Sequence, residues 1–207
     1  MKEIKAILFD LGNVLVKLAM EKAEEGYSEY ADIKEGNFVE YLLDSQNMNR
    51  YMEGELTSSQ FYGKTKRLFR MRDIKYHDFY EIFNSMFLPY PEMEELIKKI
   101  KEKYPQIKLV LLSNTCETHY EYIKENFTVL ELLDDHVVSH EVGRQKPHPD
   151  IFKEGLKIAG SIPKNTFYTD DREDLIKAAR VMGIRAHLFT DHKALIADLA
   201  ECGIDVC

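Results

Sequence analysis

The stretch IKAILFDLGN, residues 4–13, places a short apolar run directly before an aspartate, a glycine and an asparagine. A run of this length that ends in turn-forming residues is typical of a buried β-strand entering a tight turn. Four later stretches repeat the pattern, at residues 108–112, 136–139, 166–169 and 185–189, and polar residues follow each of them. The sequence therefore predicts five short strands.

Segments with helical spacing lie between these strands. In residues 92–104 the apolar side chains at 93, 96, 97 and 100 share one face, and residues 149–159 and 174–182 are spaced similarly. Strands that alternate with helices of this length are joined by crossover connections, which produce a parallel sheet covered by helices. The predicted fold class is α/β, with a three-layer Rossmann-like parallel sheet.

Residues 18–89 interrupt this alternation. They are rich in aromatic and charged side chains and contain no clear strand run, and Thr57 or Ser58 is a candidate helix N-cap. We predict that residues 18–89 form an all-helical cap domain. It is inserted into an α/β core domain made of residues 1–17 and 90–207.

Composition excludes several classes of protein. A net charge of −8 disfavours nucleic-acid partners, because binding phosphate backbones needs an excess of clustered lysine and arginine. The three cysteines neither frame a disulfide scaffold nor match a zinc site. The first apolar run is too short for a signal peptide or a membrane span. We therefore expect a cytoplasmic protein with no nucleic-acid partner and no membrane partner.

The polar residues at the strand ends carry the candidate chemistry. Ligands of open parallel sheets bind outside the carboxyl ends of the strands, so we expect Asp10, Ser113, Asp170 and Asp171 in one cleft. Lys146 lies in the loop after the third strand and can reach the same place. Carboxylates bind Mg²⁺, and a metal ion and a lysine together neutralise a transferring phosphoryl group. This set of residues favours phosphoryl transfer, with a small phosphorylated metabolite as substrate.

Four motifs resemble, in order, those of the haloacid dehalogenase (HAD) superfamily. They are FDLGNV at 9–14, LLSNT at 111–115, GRQKP at 143–147 and FYTDDREDL at 167–175. The resemblance covers the whole chain, and residues 18–89 correspond to the helical C1 cap of that superfamily. Within it, the FDLGNV and GxxKP forms and GELTSSQF at 54–61 are most similar to one branch. That branch contains α-D-glucose-1-phosphate phosphatase and the phosphatase domain of soluble epoxide hydrolase.

The resemblance implies roles for the matching residues. Asp10 corresponds to the nucleophile, which forms an aspartyl phosphate, and it is also a metal ligand. Ser113 and the backbone amide of Asn114 correspond to the phosphate-binding motif, and Lys146 corresponds to the catalytic and phosphate-binding lysine.

The resemblance also implies a Mg²⁺ site. Gly12 would contribute a backbone carbonyl, beside the carboxylate of Asp10. Asp171 aligns best with the principal metal ligand of the fourth motif, and Asp170 beside it would support the metal site indirectly or through a water molecule. Which of the two aspartates touches the ion is left open.

Two positions depart from the pattern of the superfamily. Gly12 stands where most of its phosphatases have a second aspartate, which acts as acid for the leaving group and base for the water. Leu175 stands where many relatives have a polar residue that supports the metal-binding acids, and Asp174 is a candidate substitute. General acid catalysis contributes about 10²–10⁴-fold in rate. Without it, we expect sugar 1-phosphates and aryl phosphates to be preferred over primary phosphomonoesters.

Two other functions stay open beside the phosphatase. In a 2-haloacid dehalogenase the same aspartate attacks carbon without a metal ion, which the paired acids at 170 and 171 disfavour. In a phosphate-binding or protein-interaction module the fold persists without efficient turnover, which Gly12 and Leu175 would permit. Mg²⁺ dependence separates the first alternative from a phosphatase, and loss of hydrolysis in Asp10→Asn excludes the second.

Overall fold

A computed structural model describes residues 3–31 and 38–206 of the chain. Within these ranges the strands are β1 (Ala6–Phe9), β2 (Val16–Leu18), β3 (Phe87–Pro89), β4 (Lys108–Ser113), β5 (Asp135–Val138), β6 (Thr166–Asp170) and β7 (Arg185–Leu188). The helices before β4 are α1 (Met20–Tyr27), α2 (Phe38–Leu43), α3 (Gln46–Met52), α4 (Ser58–Leu68), α5 (Tyr76–Asn84) and α6 (Pro91–Lys103). Those after β4 are α7 (Glu117–Asn126), α8 (Ser139–Val142), α9 (Pro149–Ile158), α10 (Glu173–Val181) and α11 (His192–Glu201).

Five strands form one parallel sheet in the order β5-β4-β1-β6-β7. Its central strands are apolar on both faces, as expected for strands covered by helices on each side. Ile7 and Phe9 of β1 pack into the cluster that contains the inner face of α6, whereas Ala6 and Leu8 pack into the cluster beneath α9 and α10. The predicted α/β fold with three layers is confirmed.

The segment between β2 and β3 contains helices α1 to α5. Its aromatic side chains form much of its own core: the ring of Tyr27 lies 4.9 Å from that of Phe38 and 5.4 Å from that of Phe79. At the start of α4, Thr57 Oγ1 accepts from the backbone N–H of Gln60 at 3.3 Å, and Gln60 Oε1 accepts from the Thr57 N–H at 3.0 Å. This capping box confirms Thr57 as the N-cap, with Ser58 as the first helical residue.

The expectation that residues 18–89 contain no strand is wrong. β2 and β3 pair antiparallel, with Val16 opposite Pro89 and Leu18 opposite Phe87. Three-residue strands are too short to show an alternating pattern in the sequence. The pair brings the two ends of the insert side by side, and the division into a core and a cap domain stays a prediction.

The structure also bears on what the sequence implied about membrane spans and cysteines. In the part of the chain that the structure describes, no helix has both the length and the apolar character needed to cross a membrane. Cys116 and Cys202 are buried and free of disulfide bonds, and Cys207 lies outside the described residues.

Candidate active site

The acidic side chains meet where two neighbouring strands end. Asp10 directly follows β1, and its backbone N–H donates to the carbonyl of Thr169 in β6 at 3.0 Å. Asp170 ends β6 and Asp171 comes next. The helices that follow these two strands cover opposite faces of the sheet, which makes this the point where ligands of α/β sheets bind. Carboxylate oxygens of Asp10, Asp170 and Asp171 lie within 4.8 Å of one another.

Lys146 lies inside this acidic cluster. Its Nζ donates to Asp10 Oδ1 at 2.6 Å, to Asp170 Oδ2 at 2.7 Å and to the carbonyl of Leu112 at 2.8 Å. Three acceptors satisfy the three protons of the ammonium group, although the lysine side chain is only 1% exposed. The buried positive charge is therefore fully paired.

Asn114 fixes the loop that carries this lysine. Its side-chain Oδ1 accepts from the Lys146 backbone N–H at 2.7 Å, and its Nδ2 donates to the Lys146 carbonyl at 2.9 Å. Ser113 is buried at the end of β4, next to Asn114, which lines the cleft. The structure thus brings the motif at residues 111–115 into contact with the motif at residues 143–147.

The two neighbouring aspartates have different environments. Asp170 is fully buried: its Oδ1 accepts from the Arg172 N–H at 2.9 Å, and its Oδ2 accepts from Lys146 and from the hydroxyl of Tyr168. Asp171 is partly exposed, and its Oδ2 accepts from Asn13 Nδ2 at 2.9 Å. Hydrogen bonds within the protein therefore engage both oxygens of Asp170 and one oxygen of Asp171.

Burial determines the protonation of the cluster. It raises the pKa of Asp10 from 3.8 to about 7, while Lys146 opposes this shift and Asp170 adds to it. Burial acts to lower the pKa of Lys146, but Asp10 and Asp170 outweigh it and raise that pKa above its ordinary value. The lysine is therefore charged at neutral pH, whereas Asp10 holds its proton more tightly than an exposed carboxyl does. A divalent cation beside Asp10 would favour the ionised form.

A cleft of about 1080 Å³ contains this cluster. Core residues form one part of its wall, among them Gly12, His148, Arg172 and Leu175. The part contributed by the β2 strand and the insert consists of Leu18, Leu43, Asp44, Asn49, Met52 and Glu53. The acids and the lysine therefore border a space that the insert partly encloses.

Direct contacts hold the insert against the core beside the cleft. Ser139 Oγ, in α8, donates to the carbonyl of Met52 at 2.6 Å, and the hydroxyl of Tyr51 donates to Thr118 Oγ1 at 3.1 Å. The ring centroid of His119, in α7, lies 4.0 Å from that of Phe83 in α5, with the two rings tilted by 33°. These contacts determine where the ends of α2 and α3 lie relative to the lysine loop.

Comparison with models of protein families identifies the family of this chain. Residues 4–183 match the model of the haloacid dehalogenase-like hydrolases. The chain belongs to this family. The resemblance of the four motifs to the superfamily is therefore confirmed, and the narrower branch assignment stays a prediction.

Several members of the family are similar to this hydrolase along most of its length. It is 25% identical over 193 residues to the glyceraldehyde 3-phosphate phosphatase of Methanocaldococcus jannaschii, an alignment that covers 87% of this chain and 82% of the relative. It is 24% identical over 192 residues to the D-ribitol-5-phosphate phosphatase of Bacteroides thetaiotaomicron, covering 87% and 89%. A HAD family enzyme from B. thetaiotaomicron, solved in complex with magnesium and inorganic phosphate, has a TM-score of 0.79 and 28% identity, and the match covers 93% of this chain and 98% of that one.

Two residues of this HAD-like hydrolase contact the acids, although sequence reasoning did not single them out. Asn13 adopts φ +57° and donates to Asp171, and its Oδ1 accepts from the Leu18 N–H at 3.4 Å. Asparagine tolerates this backbone region better than most residues. An asparagine in the turn after Asp10 could therefore have been recognised from the sequence as a residue that contacts the acids. Tyr168 gave no signal, because an aromatic residue in an apolar strand is ordinarily a core residue.

The structure does not support Asp174 as a substitute for a polar residue at position 175. The Asp174 carboxylate accepts from the Arg172 guanidinium at 2.7 and 3.2 Å, and both side chains are 56% exposed. Leu175 is buried and lines the cleft. The cluster in this HAD-like hydrolase is therefore supported by Asn13 and Tyr168 instead.

Proposed function

We propose that this chain is a Mg²⁺-dependent phosphatase that hydrolyses a small phosphate ester through an aspartyl phosphate on Asp10. The observation that carries the proposal is the convergence of three carboxylates and a buried, charged lysine in one accessible cleft. Two relatives are named for phosphatase activity on glyceraldehyde 3-phosphate and on D-ribitol 5-phosphate. They favour a sugar-derived or polyol-derived phosphate as the substrate class.

The oxygen-rich donor set fits Mg²⁺, which prefers carboxylate and carbonyl oxygens together with water. Asp10, Asp171 and the backbone carbonyl of Gly12 are the proposed ligands. Asp170 is the weaker candidate because its two oxygens already accept three hydrogen bonds within the protein. Bound there, the ion would offset the charge of the phosphoryl group and lower its repulsion from the Asp10 carboxylate.

The chain's own residues supply the remaining steps of the reaction. Lys146 holds Asp10 Oδ1, which fixes the orientation of the attacking carboxylate. The carboxylate forms a bond to phosphorus as the ester P–O bond breaks, and the leaving oxygen takes a proton from water. Water then attacks the aspartyl phosphate, which releases inorganic phosphate and restores the carboxylate. The Ser113 hydroxyl and the Asn114 N–H are the proposed donors to the phosphoryl oxygens.

The surroundings of Gly12 support a preference for good leaving groups. A Cβ at position 12 would lie 3.1 Å from Leu18 Cδ1, so an apolar side chain stands beside the place of the missing aspartate. We expect α-D-glucose 1-phosphate and an aryl phosphate to be hydrolysed faster than glucose 6-phosphate, by roughly the 10²-fold lower limit of general acid catalysis. Steady-state kinetics on the three esters test this order, and faster hydrolysis of glucose 6-phosphate would contradict it.

The experiment that tests the function is a phosphate-release assay with Mg²⁺ over sugar phosphates, nucleotides and an aryl phosphate. Hydrolysis should need Mg²⁺, stop with EDTA and be lost in Asp10→Asn. Asp73→Asn, an equivalent change at an exposed position away from the cleft, is the matched control. Metal-independent halide release from 2-chloropropionate would support the dehalogenase instead. Binding of inorganic phosphate without hydrolysis of any ester would support a binding module.

A further inference from the structure

The insert's part of the cleft wall is formed by the ends of two helices. α2 ends at Leu43 and α3 ends at Met52, and the residues that follow them, Asp44 and Glu53, also line the cleft. The two carboxylates therefore give this wall a negative character.

Among the residues that the structure describes, no base pairs with the carboxylates of this wall. Glu53 Oε1 accepts from the backbone N–H of Gln145 at 3.3 Å, which is a neutral donor. Within residues 3–31 and 38–206, neither Asp44 nor Glu53 forms an ion pair. Arg172 lines the cleft, but Asp174 already holds its guanidinium at 2.7 Å.

The proposed reaction uses the positive groups on the other side of the cleft. Lys146 is paired with Asp10 and Asp170, and a divalent cation there would face the phosphoryl group of the substrate. Five acids and two of the always-charged bases line the cleft, so a bound divalent cation would not remove the excess of negative charge. A second anionic group on a substrate would therefore meet carboxylates rather than bases.

Size alone does not select the substrate. A volume of about 1080 Å³ is slightly above the usual range of ligand pockets, which is about 300–1,000 Å³. Selection must come from charge and hydrogen bonding. The carboxylates of Asp44 and Glu53 accept hydrogen bonds from hydroxyl groups, and the Asn49 side chain can both donate and accept.

We infer that Asp44 and Glu53 determine specificity, by selecting phosphate esters whose leaving group is neutral and hydroxylated and rejecting esters with a second anionic group. This inference rests on the proposed phosphatase function and names its substrate class. Sugar and polyol monophosphates fit the cleft, whereas bisphosphates and phosphorylated acids do not. Repulsion between like charges near a protein surface is large enough to produce this discrimination.

Matched esters that differ in one charged group provide the test. α-D-glucose 1-phosphate is compared with α-D-glucuronic acid 1-phosphate, and glycerol 3-phosphate with 3-phosphoglycerate, by kcat/KM at low salt with Mg²⁺. The wild-type chain should prefer the neutral member of each pair by roughly tenfold or more. Added salt should reduce the preference, because the charges of the open wall are screened.

Glu53→Gln and Asp44→Asn remove one charge each and keep the size of the side chain. The glutamine keeps an Oε1 acceptor for the Gln145 N–H. Each change should lower the ratio of kcat/KM between neutral and anionic esters by roughly three- to tenfold, and the double variant should lower it further. Glu125→Gln and Asp73→Asn make the same changes of charge at exposed positions outside the cleft and should leave the ratio unchanged.

Two results would overturn the inference while the proposed function stands. One is equal hydrolysis of the neutral and anionic members by the wild-type chain. The other is a ratio in the Glu53 and Asp44 variants that equals the ratio in the two control variants. If neither neutral ester is hydrolysed with Mg²⁺, the proposed function itself fails, and the inference fails with it.

Discussion

Acid should destabilise this protein through His119, which is buried between the insert and the core. Its ring centroid lies 4.0 Å from that of Phe83 and 4.8 Å from that of Phe87, and its Nε2 has no hydrogen-bond partner within the described residues. Burial lowers the pKa of His119 from 6.5 to about 3, although the backbone of Phe83 opposes this shift. The folded protein therefore keeps this ring neutral at a pH where the unfolded chain has protonated it.

The size of the effect follows from proton linkage. Above pH 6.5 the ring is neutral in both states and contributes no pH dependence. Below pH 6.5 the unfolded chain binds the additional proton, so the free energy of unfolding falls by about 1.4 kcal/mol per pH unit until the pH approaches 3. At pH 5.0 the loss is about 2 kcal/mol, a large part of the roughly 5–15 kcal/mol that stabilises a typical domain.

Urea denaturation at pH 7.5 and 5.0, with EDTA present, measures this loss. His119→Leu and His119→Phe should each lose about 2 kcal/mol less than the wild-type protein between the two pH values. Packing defects in a variant affect both pH values equally and cancel in the difference. His77→Gln, at a side chain that is 88% exposed, is the control. If all the proteins lose the same free energy, the burial of a neutral histidine is not the cause.

Three further changes test the geometry of the cleft and of the insert. Gly54→Ala should reduce the free energy of unfolding by roughly 1–3 kcal/mol, because Gly54 has φ +70° and a Cβ there would lie 2.3 Å from a carbonyl oxygen of α8. Gly63→Ala, in a helix with open space around the Cβ, should stabilise the protein by about 0.5–1 kcal/mol in urea denaturation. Equal effects of the two substitutions would refute the close contact at Gly54. Asn13→Gly suits the backbone and removes the hydrogen bond to Asp171 together with the longer one from the Leu18 N–H, so calorimetry should show Mg²⁺ affinity falling roughly tenfold, and an unchanged affinity would argue against this positioning role. Lys146→Met leaves the buried carboxylates of Asp10 and Asp170 without their cation and should lower the free energy of unfolding by about 3–5 kcal/mol in EDTA. A loss below about 1 kcal/mol would show that these ion pairs are not buried in solution.

The central sheet could be predicted from the sequence because β1 and β4 contain continuous apolar runs, and the more mixed strands β5, β6 and β7 are also short stretches followed by polar residues. Asp10, Lys146 and the pair Asp170 and Asp171 could be placed together for the same reason, since parallel strands end at one edge of the sheet. The internal bonds that distinguish Asp170 from Asp171 could not be predicted. They depend on a tyrosine hydroxyl and a backbone N–H whose positions only the folded loop defines.

The residues that the insert contributes to the cleft could not be predicted from the sequence. Asp44 and Glu53 are ordinary polar residues at helix ends, and nothing in their local pattern places them near Asp10. Their position depends on tertiary contacts such as the one between Ser139 and the carbonyl of Met52. A helical pattern predicts which residues share a face, but it does not predict which surface that face will cover.

The antiparallel pairing of β2 with β3 makes the core's architecture independent of the length of the chain between them. Because Val16 and Pro89 are neighbours in space, a longer or shorter helical segment could be exchanged between them without moving the sheet that carries the nucleophile. New substrate preferences could therefore arise by replacing this segment while the reaction chemistry stays intact. Any replacement would still have to provide a carbonyl for Ser139 and a partner for the ring of His119.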